Sequence, residues 1–102
     1  MRAAKLVEVQ KIEVVEMEKP EIKKDNEVLV QVKAVGICGT DLHIFHDGRA
    51  DVILPRIMGH ELSGLVKEVG KNVTNVKVGD RVVLDPVFAC NTCDICKSGH
   101  PN

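Results

Sequence analysis

Apolar residues along this chain recur mainly at every second position, in short runs separated by polar turns. "AAKLVEV" (residues 3–9) and "IEVVEME" (12–18) flank the polar pair Gln10-Lys11 and read as two strands. Residues 20–26 are polar and turn-like. "EVLVQVKAVGI" (27–37) then alternates, with Val28, Val30, Val32 and Ala34 on one face and Gln31 and Lys33 on the other. The alternation breaks at Gly39-Thr40, where Thr40 reads as a helix N-cap and "DLHIFH" supplies about two turns at most. "DGRADVILPRI" (47–57) is loop-like, punctuated by Gly48 and Pro55. From Gly59 a strand resumes through "ELSGLVKEV" and ends in a turn at Gly70-Lys71-Asn72. "VKVGDRVVL" supplies another strand after a tight Gly79-Asp80 turn, and from Asp85-Pro86 onward the periodicity is lost. The pattern predicts a mainly β fold, a partly closed barrel with one or two short helices.

Composition narrows the class. The 102 residues suffice for one small domain. The apolar content is mostly Val, Ile, Leu and Ala, with two Phe and no Trp or Tyr, and β-branched residues favour strands. A formal net charge of −1 gives no reason to expect nucleic acid or an anionic membrane as partner. No apolar run reaches the length of a membrane span, and "MRAAKLVEVQ" lacks the apolar core of a signal peptide. A cytoplasmic setting is therefore expected, where cysteines serve metals or catalysis more often than disulfides. Asn72-Val73-Thr74 matches the glycosylation triplet by chance on this reading. No strand is followed by a Gly-x-Gly-x-x-Gly turn, so no dinucleotide fold lies within these residues.

Two constellations carry chemistry. Cys90, Cys93 and Cys96 form Cys-x₂-Cys-x₂-Cys inside a loop, a spacing that wraps three sulfurs round one ion. The first candidates for a fourth ligand are His100 and a water. Continued to His100-Pro101, the run also mimics a bacterial ferredoxin, with His100 in the place of the last cysteine. The second constellation is Cys38, at a strand end before a helix start, with His60 and Glu61 of "GHELSG". Thiolate, imidazole and carboxylate suit Zn²⁺ and leave one position open. On residue types alone Cys38, His60 and Glu61 read equally well as a buried thiol, a satisfied histidine and a surface glutamate. On a regular strand residues 60 and 61 point to opposite faces, so both reach one ion only if the backbone is irregular, which Gly59 permits. Otherwise His60 is the ligand and Glu61 its neighbour or an exchangeable ligand.

"GHELSGLVKEVGKNV" resembles, position by position, the zinc signature of the medium-chain alcohol dehydrogenases: Gly-His-Glu, two residues, Gly, five residues, Gly, two residues, Val. "GICGTDLH" and "VGDRV" are similar to that family's other N-terminal blocks, in the usual order and spacing, and the wording "GICGTDLHIFHDGR" resembles its polyol, sorbitol and threonine dehydrogenase branches. The resemblance covers essentially the whole chain. It implies a GroES-like, partly open β-barrel with a zinc-binding lobe. Residues 1–102 would be an incomplete catalytic domain, 86–102 a structural-zinc lobe cut short of its fourth cysteine, and the Rossmann cofactor domain would be absent.

The resemblance also implies an oxidoreductase that oxidises a small alcohol or polyol by hydride transfer to NAD or NADP. Cys38 and His60 would be ligands of a catalytic zinc, with Glu61 the third ligand or a close neighbour. Cys90, Cys93 and Cys96 would hold a structural zinc. Thr40 would take the proton of the substrate hydroxyl, which would move by way of the cofactor ribose toward His43. Asp41 matches the carboxylate that orients the ligand histidine. No role is expected for His46, and Gly36 and Gly39 read as backbone hinges. These residues alone are expected to be inactive and to leave apolar faces uncovered, which association as a homo-oligomer would cover. The contrasting class is a self-standing GroES-like metal-binding or assembly module without enzyme activity. An iron–sulfur protein is a more distant one, and its colour would distinguish it from zinc.

Overall fold

The structure, a computed structural model, describes residues 1–99. His100 and Pro101, the proposed closing ligand and its neighbour, lie outside the described residues. Eight elements follow one another among the described residues: β1 (Arg2–Glu8), β2 (Lys11–Glu16), β3 (Val28–Val35), α1 (Gly39–Asp47), β4 (Arg56–Ile57), β5 (Leu62–Val69), β6 (Arg81–Val83) and α2 (Asp94–Lys97). The strands form two antiparallel three-stranded sheets, ordered β2-β1-β4 and β3-β5-β6, and the sheets do not close on each other. The expected mainly β, partly open architecture is what the chain adopts.

The first hairpin turns at Gln10, whose φ of 63° supplies the tight reversal between β1 and β2. That turn also fastens α1. The Gln10 backbone N–H donates to the Phe45 carbonyl (2.8 Å), and its side-chain amide donates to the His46 carbonyl (3.3 Å). Two carbonyls left open at the helix C-terminus thereby find partners on the hairpin.

In the second sheet β5 runs antiparallel to β3 from Val28↔Val69 to Val35↔Leu62, with irregularities at Leu29/Val30 and Val32/Ala34. Gly64 sits opposite Val32 in this pairing. A Cβ there would collide with the Gln31 carbonyl and the Val30 side chain, so the close approach of β3 and β5 requires glycine.

Local details depart from the sequence expectations. Arg56–Ile57, inside the segment read as loop, pairs with Lys5 and Leu6 of β1. The strand expected over "VKVGDRVVL" is short, only Arg81–Val83. Helix α1 begins one residue before Thr40, so Cys38 rather than Thr40 is its N-cap. No helix among the described residues is long and apolar enough to cross a membrane.

The core is thin. Among the described residues Leu6 on β1, Ile44 on α1 and Val66 on β5 are the buried hydrophobic ones, while Val32, Val35 and Val83 of the second sheet stand exposed. The apolar faces expected to be uncovered are present. Leu6→Ala should lower the unfolding free energy by about 2–5 kcal/mol. Val83→Ala, at a residue 81% exposed, should change it by less than about 0.5 kcal/mol. Urea unfolding of the two variants checks both, and equal losses would place the core elsewhere.

Candidate metal centre

The β3–β5 register builds the first site. With Val35 opposite Leu62, the residues just past β3 run beside those just before β5, and the Gly36 N–H donates to the Glu61 carbonyl at 2.7 Å. The chain then turns into α1 at Cys38, while His60 approaches from the other side through Gly59, whose φ of 108° is a conformation that glycine tolerates. His60 and Glu61 precede β5 rather than lying on it.

The result is a three-residue cluster. The Cys38 Sγ lies 3.1 Å from His60 Nε2, and His60 Nδ1 lies 3.6 Å from Asp41 Oδ1. The other oxygen of the same carboxylate accepts the Cys38 backbone N–H at 3.0 Å. Asp41 thus spans both partners from the third residue of α1. It holds the N-cap backbone on one side and, on the other, faces Nδ1, which leaves Nε2 directed at the sulfur. All three residues are half-buried, with ligand atoms within 4.8 Å of one another.

The donor set fits zinc. Bond lengths of about 2.3 Å to sulfur and 2.0–2.1 Å to nitrogen give a tetrahedral S–N edge of about 3.5 Å. The observed 3.1 Å is within a few tenths of that edge.

Glu61 is outside this set of donors, which among the described residues comprises Cys38, Asp41 and His60. Its side chain is exposed, and Oε2 sits 3.2 Å from where a Cβ on Gly36 would lie. Thr40 is exposed on the first turn of α1, and His43 lies three residues on, along the same face. His43 is 78% exposed, with Nδ1 3.9 Å from Asp47 Oδ2. His46 is also exposed, and its ring meets Phe45 edge-on. Next to the cluster is an apolar cavity of about 340 Å³. Leu6, Val35, Leu42, Phe45 and Met58 line it, and Asp41 is the charged residue in its wall.

The second site is local. Asn91, with φ 56°, folds Cys90 back toward α2, whose N-cap is Cys93 and whose third residue is Cys96. The three sulfurs lie within 4.8 Å of one another, and Cys90 and Cys96 are 3.7 Å apart. A tetrahedral zinc with bonds of about 2.3 Å has sulfur–sulfur edges of about 3.8 Å, so this pair already stands at ligand spacing. The Cys93 N–H donates to Cys90 Sγ at 3.4 Å and the Cys96 N–H to Cys93 Sγ at 3.5 Å. The Cys90 thiol is pulled down to about 6, foremost by the Thr92 hydroxyl and then by backbone N–H groups of Thr92 and Cys93.

Sequence reasoning missed Thr92; its signal is a hydroxyl residue two positions after a candidate ligand, where such side chains bond locally. It also missed the grip of Asp41 on the Cys38 backbone, which the Cys-x-x-Asp spacing could have suggested as a capping pattern.

A family model described as the alcohol dehydrogenase GroES-like domain matches residues 24–102. Sorbitol dehydrogenase of Bacillus subtilis is 43% identical over 105 residues, covering all of this chain and 30% of that protein. Among solved structures, galactitol-1-phosphate dehydrogenase from Escherichia coli superposes with a TM-score of 0.89 at 34% identity, covering 96% of this chain and 28% of the other. A zinc-binding dehydrogenase from Sinorhizobium meliloti, solved bound to NADP, superposes with a TM-score of 0.84 at 37% identity, covering 98% and 29%. The chain spans about 30% of the length of these relatives. By this match over most of its length, and by the fold it shares with these enzymes, the chain belongs to the alcohol dehydrogenase GroES-like domain family.

Proposed function

We propose that this chain is the metal-binding part of a zinc- and nicotinamide-dependent dehydrogenase of small alcohols or polyols, working in the cytoplasm. The observation that carries the reading is the Cys38–His60 pair at 3.1 Å, with Asp41 on the far nitrogen of the imidazole. Residues 1–102 serve as the catalytic GroES-like unit and 86–102 as a zinc lobe.

Cys38 and His60 hold the catalytic ion, and Cys90, Cys93 and Cys96 hold the structural one. When bound, zinc lowers the pKa of a substrate hydroxyl and nicotinamide supplies the hydride acceptor. The chain's own residues do the rest. Asp41 keeps the proton on His60 Nδ1, so that Nε2 offers its lone pair. Glu61 completes the ligand set or exchanges into it from its place over Gly36. Thr40 Oγ1 accepts the substrate proton while giving up its own hydroxyl proton, and the solvent-exposed His43 imidazole takes up the released proton and passes it to water. The apolar cavity beside the cluster excludes water from the carbon end of the substrate.

The purified chain should bind two zinc ions that are lost one at a time: the first in Cys38→Ala, the second in Cys93→Ala, measured as metal content after dialysis. No bound metal in the unaltered chain would reject the reading. Asp41→Asn should weaken the first site by about 10–100-fold in competition with a chelator, while leaving the second unchanged. Without a nucleotide-binding turn of their own, the 102 residues should not reduce NAD⁺ in the presence of sorbitol, followed by NADH absorbance. Turnover would refute that expectation.

A further inference from the structure

We propose that Cys90 and Cys96 are a redox pair: hydrogen peroxide closes them into a disulfide, and the disulfide and a bound zinc ion exclude each other in this lobe. The pairing stands on geometry. The two sulfurs are 3.7 Å apart, and a disulfide needs about 2.05 Å, an approach of about 1.7 Å. The same pair at its present spacing matches one edge of a zinc tetrahedron, so one short movement separates the two states.

The lobe has room for that movement. Cys90 is exposed, Cys96 half-buried, and no residue of α2 is buried. The core residues Leu6, Ile44 and Val66 all lie on other elements, so closure leaves them in place. The left-handed turn at Asn91 already folds Cys90 back toward the helix.

The chemistry balances with one peroxide. One thiol attacks the peroxide: an S–O bond forms, the O–O bond breaks, and the leaving oxygen departs as water, giving a sulfenic acid. The second thiol attacks that sulfur, so that S–S forms, S–O breaks and a second water leaves. Two electrons pass from the sulfurs to the peroxide, and Cys93 remains a thiol. Because both sulfurs would then sit in a neutral disulfide and no longer be the thiolates that bind a metal, zinc must leave when the bond closes. The disulfide rests on the sulfur geometry alone, whereas the exclusion rests on the proposal that this lobe holds zinc.

The test treats the full chain with hydrogen peroxide, metal-free and zinc-loaded, and weighs the tryptic peptide 82–97, which contains all three cysteines. The metal-free peptide should lose the mass of two hydrogen atoms. The loss should persist in Cys93→Ser and vanish in Cys96→Ser. Zinc loading should slow closure by about tenfold or more, and zinc released to a chromogenic chelator should track the disulfide. A disulfide that survives in Cys96→Ser but not in Cys93→Ser, or oxidation to sulfinic acid without any disulfide, overturns the pair. Closure at equal rates in both samples overturns the exclusion. Zinc content before oxidation tells whether the exclusion failed or the lobe never held the ion.

Discussion

The antiparallel register that sets Val35 opposite Leu62 is the constraint on which the site depends. Cys38 and His60 are 22 residues apart, and nothing local brings them together. A slip of one residue would turn the following side chains to the other face and separate sulfur from imidazole. The register is guarded by the steric demand at Gly64, by the Gly36–Glu61 hydrogen bond and by the irregularities at Leu29/Val30 and Val32/Ala34. Asp41 adds orientation to proximity, because one carboxylate accepts the Cys38 backbone N–H and faces the far nitrogen of His60.

The two candidate metal centres therefore relate differently to folding. The cluster of Cys38, Asp41 and His60 exists only when β3, β5 and α1 are in place, so a metal there is linked to the folded state of that sheet. Cys90, Cys93 and Cys96 close within a few residues, at small cost in chain entropy, and their hydrogen bonds are local. That independence would let the lobe change state while the two sheets stay paired.

Much of the architecture was legible because alternation is a local signal. The strand from Val28 and the hairpin around Gln10 announce themselves in five to eight residues of pattern. Arg56–Ile57 did not, since a two-residue strand owes its existence to a partner far away in sequence, Lys5–Leu6. Thr40 was the better cap by preference, yet Cys38 takes the position because the chain must turn where β3 ends, and Asp41 supplies the capping carboxylate. Helix α2, at four residues, is too short to show a period. The candidate ligands were legible through their motifs. The side-chain direction of Glu61 was not, because it depends on the backbone beside Gly59 rather than on its neighbours in sequence.

The exposed valines of the second sheet and the small core give this chain little cohesion of its own, so a metal held between β3 and β5 would matter for stability as well as for chemistry. The most direct measurement of the central claim is cadmium NMR of the cadmium-loaded chain, cadmium standing in for zinc. The account predicts two resonances, one in the thiolate-rich region and one in the region of mixed sulfur and nitrogen ligands, the latter lost on replacing His60. A single thiolate-rich resonance, unchanged by that replacement, would contradict it.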